Sequence, residues 1–316
     1  MEPGKVVWMN GRTMPAEEAK VSVLAHALHY GSSVFEGIRA YATPQGPAVF
    51  CLPPHVARLF DSCRIFRMEL PYTPAQITEA ILTTARLNEY DNCYIRPIVF
   101  RGAGSFSLDP RKSPLEVAII VVEWGRYLGA EAIEQGVDVM VSSWRRMAPD
   151  TMAPMAKIGG QYVNSQFIVM EAVDSGFVEG IALDVSGFVS EGSGENIFLV
   201  KDGIVYTPPL TSAVLPGVTR TVVMTMCRDL GIPIQEQTLP REFLYVADEA
   251  FFTGTAAEIT PIRSVDRIPV GKGRGPITVR LQEEFFGITE GRLPDRHGWL
   301  THVRAMRPEA VRTSDP

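Results

Sequence analysis

The sequence is poor in the features that most quickly betray a chemistry. It has four cysteines, Cys51, Cys63, Cys93 and Cys227, and none belongs to a C-x-x-C pair. That excludes a redox dithiol and a zinc ribbon, and leaves reduced, mostly buried thiols. Five histidines are scattered. His26 and His29 lie three apart, but no third ligand cluster stands near them, so no metal centre is expected. There is no basic excess either: a net charge of -6 leaves nothing to neutralise nucleic-acid phosphates. Long apolar runs are missing. The longest, Val117–Val122, is far below the ~20 residues that cross a bilayer. Met1–Asn10 shows no basic stretch before an apolar one, so no signal peptide is read. The expectation is a cytoplasmic protein without nucleic-acid or membrane partners.

What is present describes a globular chain. Hydrophobic residues make up 46% and charged residues 21% of 316, enough material for two domains. No fixed-period repeat appears. Strands are read at Lys5–Met9, Gly11–Met14, Gly37–Tyr41, Ala48–Cys51, Asn92–Phe100 and Leu115–Glu123, the last almost wholly apolar and therefore central. His55–Phe66 reads as a helix with Val56, Leu59, Phe60, Cys63 and Phe66 on one face, and Pro74 opens a second running to Asn88. After a glycine-punctuated stretch come strands at Val137–Ser143, Ile181–Leu183, Ile197–Lys201 and Ile204–Tyr206. Helices are read near Gln161–Asp174, Val218–Leu230, Arg241–Ala247 and Ile277–Phe286. The fold class is α+β in two domains: a smaller N-terminal one (1–123), a connection (124–135) and a larger strand-rich one (136–316).

Lysines are few: Lys5, Lys20, Lys112, Lys157, Lys201 and Lys272. Four sit beside Gly, Asp or Arg in turn-like settings, and Lys20 follows the acidic Glu17-Glu18 pair in a solvated stretch. Lys157 does neither. Pro154-Met155-Ala156 precede it and Ile158-Gly159-Gly160 follow, small or apolar residues without a counter-charge. Such surroundings disfavour an ammonium ion, which is what a nucleophilic amine needs near neutrality. The plainer alternative is a lysine snorkelling at a helix start.

A second segment, Val189-Ser190-Glu191-Gly192-Ser193-Gly194-Glu195-Asn196-Ile197-Phe198, puts two carboxylates around a Gly-Ser-Gly turn at a strand edge. A pyridoxal ring requires a carboxylate at its pyridinium nitrogen, although such a loop could also merely turn the chain. Leu215-Pro216-Gly217-Val218-Thr219-Arg220 leads into a helix, presenting N–H groups and a hydroxyl as an anion site would. Thr253-Gly254-Thr255-Ala256-Ala257-Glu258-Ile259-Thr260-Pro261 reads as a small-residue turn with hydroxyls. Gly271-Lys272 lacks the remaining residues of a P-loop, Gly271-x-Gly273-x-Gly275 lacks the dinucleotide spacing, and Ser105 and Ser107 lie in no nucleophile elbow.

Together these segments resemble the fold-type IV aminotransferases, and within them the branched-chain amino acid aminotransferases, from about Gly31 to Trp299. The matching motifs are His29–Arg39, Tyr94-Ile95-Arg96-Pro97, Lys157-Ile158-Gly159-Gly160-Gln161-Tyr162, Glu191–Phe198, Leu215–Arg220 and Gly254–Pro261. The resemblance implies a smaller α/β sandwich, a larger pseudobarrel, and pyridoxal 5'-phosphate as cofactor with Lys157 as its Schiff-base lysine. It implies Glu191 at the ring nitrogen, Tyr162 near the 3-hydroxyl, and Arg58, Val218, Thr219 and Thr255 around the phosphate. Glu195, Asn196, Leu215, Gly217 and Gly254 complete the cofactor site. The substrate carboxylate would meet Tyr94 and Thr255–Ala256–Ala257, with Tyr30, Phe35, Trp124, Tyr127 and Tyr162 lining the side-chain pocket and Arg96 receiving the γ-carboxylate of glutamate. Amino acids and 2-oxo acids are the implied partners, and a homodimer or dimer-based homo-oligomer the implied assembly. Related activities on the same fold are D-amino acid or (R)-amine transamination and the aminodeoxychorismate lyase reaction. A catalytically silent binding protein is the alternative of another class.

Overall fold

The computed structural model describes residues 2–123 and 131–303. Most of the expected interdomain connection, Trp124 and Tyr127 included, lies outside the described residues, as does the segment after residue 303. Two nine-stranded sheets form the frame. The first runs Leu300–His302, Ala48–Phe50, Ile38–Tyr41, Cys93–Arg101, Leu115–Glu123, Val6–Met9, Arg12–Pro15, with Glu2–Pro3 and Ser33–Phe35 paired off this path. Leu115–Glu123 is central, as its composition suggests. Val117, Ile119 and Val121 face one core and Ala118 and Ile120 pack with another cluster, so both faces are covered.

Helices Leu52–Ile65 and Pro74–Asn88 cover this sheet through Leu52, Val56, Leu59 and Cys63 and through Ile77, Ile81 and Ala85. The first begins three residues before the expected start. Pro53 and Pro54 fit its opening turn because the N–H groups there have no intrahelical partner. The second has the expected bounds. Thr73 accepts from the Gln76 N–H while the Gln76 side chain accepts from Thr73, and Pro74 follows the cap.

The second sheet runs Val189–Gly192, Glu179–Leu183, Val137–Val141, Glu258–Val265, Glu249–Gly254, Asn196–Lys201, Ile204–Thr207, Ile234–Glu236, with Ile268–Pro269 off the path. Helices Val218–Asp229 and Pro276–Thr289 pack on it through Val222, Val223, Met226, Leu281 and Phe285 against Phe198 and Phe251. One reading is corrected here. Thr253–Pro261 is mostly strand: Gly254 pairs with Glu258, so only Thr255–Ala257 turns. The threonines and glycine suggested a loop, but Phe251, Phe252, Ile259 and Ile262 are fully buried and hold the hairpin in the sheet.

The chain's end also crosses over. Leu300–His302 joins the first sheet beside Ala48–Phe50. The glycine-rich Gly271–Gly275 segment meets no external anion requirement, because the buried Glu249 carboxylate accepts the N–H groups of Ile277 (3.0 Å) and Thr278 (2.7 Å) at the start of Pro276–Thr289.

Candidate active site

Lys157 lies just before the turn that starts helix Tyr162–Asp174. Its backbone is clamped from two sides. Its N–H donates to Ser62 Oγ of helix Leu52–Ile65 at 3.0 Å, and its carbonyl accepts the Phe35 N–H at 3.0 Å. The side chain is therefore aimed by elements far away in sequence. Nζ donates to the Tyr162 hydroxyl oxygen at 2.6 Å and lies 4.9 Å from the centroid of the Phe35 ring. The sequence neighbours carry no counter-charge. The tertiary fold brings the fields of Glu191 and Glu195 to bear on this lysine without a direct ion pair.

A concave cavity lined by charged, hydroxyl-bearing and small residues surrounds Lys157. Of the residues expected around a cofactor, Arg58, Tyr162, Glu191, Glu195, Asn196, Leu215, Gly217, Val218, Thr219, Gly254 and Thr255 all line it, as do Tyr94 and Ala256. Two close approaches require glycine. A Cβ at Gly37 would sit 2.1 Å from the Tyr94 hydroxyl, and one at Gly217 would sit 1.9 Å from Asn196 Oδ1.

The two ends of the cavity differ in charge. At one, helix Val218–Asp229 starts at Gly217 with no side-chain cap, leaving N–H groups and the Thr219 hydroxyl beside Arg58. At the other is Glu191. Its Oε1 meets Arg146 Nη2 at 2.8 Å, and its Oε2 accepts from Asn196 Nδ2 (2.9 Å) and the Leu215 N–H (3.1 Å). Burial raises the Glu191 pKa, and Arg146 opposes that shift most strongly. Glu195 has different neighbours: burial and the nearby Glu179 carboxyl push its pKa well above the usual carboxylate range. The two glutamates read together from sequence thus differ in surroundings, one paired with an arginine and the other set beside a second carboxyl group.

Several expected residues adjoin the cavity without lining it directly. Phe35 packs on Tyr162 at 4.8 Å between ring centroids, and Arg96 sits over Phe35 at 4.6 Å while donating to the Tyr94 hydroxyl at 2.8 Å. Ala257 is buried in the hairpin turn. Tyr30 does not line this cavity within the chain: it is half exposed, packs at a tilt against the His26 ring and donates to the Phe106 carbonyl. Sequence reasoning missed Arg146. It follows Arg145 in what reads as a solvated pair, and only the fold buries Arg146 while Arg145 bonds the Asp184 carbonyl.

Comparison with known proteins agrees with this geometry. The model of the amino-transferase class IV family matches residues 33–265. The branched-chain-amino-acid aminotransferase of Escherichia coli (strain K12) is 50% identical over 299 residues, covering 94% of this chain and 97% of that protein. This chain belongs to the branched-chain-amino-acid aminotransferases of class IV. A crystal structure of the E. coli enzyme superposes with a TM-score of 0.94 at 49% identity, over 95% of this chain and all of that one. The branched-chain amino acid aminotransferase from Thermobaculum terrenum, in its PLP-form, gives 0.90 at 33% identity, over 96% of this chain and all of that one. The fold is accordingly fold-type IV, and the protein is an aminotransferase.

Proposed function

We propose that the cavity holds pyridoxal 5'-phosphate and that the enzyme exchanges the amino group between L-leucine, L-isoleucine or L-valine and 2-oxoglutarate. The observation that carries this is that one cavity holds Lys157 together with the uncapped start of helix Val218–Asp229 and a buried carboxylate, Glu191, paired with Arg146. The residues fit the cofactor. Among the described residues, the buried Arg146 Nε and Thr253 Oγ1 have no partner in the chain, and both residues line the cavity. The cofactor supplies an electron sink for the bond broken at the amino acid's Cα. Arg58, Thr219, Thr255 and the N–H groups following Gly217 bind its phosphate, with Leu215 and Gly254 shaping the wall. Glu191, held by Arg146, keeps the ring nitrogen protonated, and Glu195 and Asn196 support it. Lys157 would hold the cofactor through its Nζ and move the Cα proton, while Tyr162 orients that Nζ.

Tyr94, Ala256 and Ala257 receive the substrate carboxylate. Phe35 and Tyr162 give an apolar side-chain pocket, to which Tyr30 contributes from a second copy of the chain, and Arg96 accepts the γ-carboxylate of glutamate. The proposal includes two domains joined by residues 124–135 and a homodimer or dimer-based homo-oligomer in the cytoplasm. Val23, Leu24, Leu28, Phe106 and Leu108 are exposed apolar residues around Tyr30, suited to burial against a second copy. Sedimentation as a monomer would remove that part. No helix among the described residues is long and apolar enough to cross a membrane.

Borohydride reduction of the holoenzyme followed by peptide mapping tests the central assignment, with the cofactor expected on Lys157. Label on Lys201 or Lys272 would overturn it. Single-half-reaction kinetics with L-leucine, D-leucine and L-glutamate test the substrate, and only the two L-amino acids should react.

A further inference from the structure

Glu36 is fully buried and lies outside the residues that line the cavity. Arg58 donates to it side-on, from Nε to Oε1 at 2.7 Å and from Nη2 to Oε2 at 2.9 Å. His55 Nδ1 lies 2.7 Å from the same Oε2, which also takes the Gly37 N–H at 3.3 Å. The third guanidinium nitrogen, Nη1, donates to the Pro216 carbonyl at 3.0 Å. Pro216 directly precedes the uncapped start of helix Val218–Asp229. All three nitrogens of Arg58 are thus engaged, and the N–H bonds left over belong to an arginine that lines the cavity beside Val218 and Thr219.

We infer that Glu36 is a positioning residue for cofactor affinity: through its two-point grip on Arg58 it presets the guanidinium, across the join between the two halves of the chain, for the phosphate group. This rests on the reading of Arg58 as a phosphate ligand. The physical reason is twofold. A free arginine would have to give up its rotamer freedom when phosphate arrives, whereas this one is already fixed. A guanidinium buried without a partner is also costly, and Glu36 removes that cost before any ligand binds. Burial alone would raise the Glu36 pKa, but Arg58 and His55 outweigh it and hold the carboxyl well below its usual range, which favours the ionic form of the grip.

The test compares pyridoxal 5'-phosphate with pyridoxal, which lacks the phosphate, by titrating each into the full-length apoenzyme and dividing the dissociation constant of pyridoxal by that of pyridoxal 5'-phosphate. Arg58→Ala should lower that ratio by on the order of tenfold or more, as expected for the loss of a charge-assisted contact. Glu36→Gln should lower it by a comparable factor, Glu36→Asp by less, and Glu36→Gln should add little in the Arg58→Ala background. If Arg58→Ala leaves the ratio unchanged, the phosphate reading of Arg58 fails. If Arg58→Ala lowers it but Glu36→Gln leaves it intact, or weakens both ligands equally, the positioning role fails alone. Should Glu36→Gln not fold, Glu36→Asp decides: an unchanged ratio there, with the native circular dichroism, also overturns the inference.

Discussion

At the residue scale the site depends on charges placed in pairs. Glu191 is useful at the ring nitrogen only while ionised, and Arg146 is the group that most opposes the effect of its burial. Removing the positive charge must raise the Glu191 pKa further. Arg146→Met is therefore expected to move the acid limb of the kcat profile to higher pH, while Glu191→Gln should lower kcat on the order of 10²-fold with cofactor still bound. An unmoved acid limb in Arg146→Met would detach the arginine from catalysis. Arg96 makes a separate case. Its nearest partners are the Phe35 ring and the Tyr94 hydroxyl, not a carboxylate. Arg96→Ala should leave leucine turnover within a few-fold and cost glutamate and 2-oxoglutarate roughly one to two decades in kcat/KM. Equal losses for leucine and glutamate in single-half-reaction kinetics would assign Arg96 to the α-carboxylate or to packing.

At the element scale, helices act by their ends. The start of Val218–Asp229 is left open toward the cavity, whereas the start of Pro276–Thr289 is closed by Glu249. Glu249 also accepts the Thr278 hydroxyl at 2.6 Å, so Glu249→Ala strands two N–H groups and a hydroxyl. A loss of about 2–4 kcal/mol in unfolding free energy is expected, read by urea titration with the m-value unchanged. A loss below about 0.5 kcal/mol would mean that water caps this helix as well as the carboxylate does.

At the scale of the whole molecule, Glu36 ties acid stability to the join between the halves. Its folded pKa is depressed, so the ion pairs stabilise the fold above the unfolded value of 4.5 and the contribution is lost as pH falls below it. Wild type should lose stability below that pH with one extra proton's worth of slope, about 1.4 kcal/mol per pH unit, relative to Glu36→Gln. Parallel urea-derived curves for the two proteins between pH 5 and pH 3 would contradict it.

The sequence by itself determined the order of elements wherever local physics was decisive. Pro74–Asn88 shows its cap, its proline and its apolar stripe in consecutive residues, and Leu115–Glu123 shows a doubly covered strand as an unbroken apolar run. It also singled out Lys157 and the Glu191–Glu195 pair, because a lysine among apolar residues and paired carboxylates at a strand edge are locally unusual. What only the tertiary structure decided are relations between distant segments. The Thr253–Pro261 hairpin depends on partners in two neighbouring strands. Arg146 differs from Arg145 only by which one the fold buries. Glu191 and Glu195 share one motif, yet one faces an arginine and the other a second carboxyl group. Electrostatic fields and burial are set by neighbours in space, and those neighbours are tens of residues away along the chain.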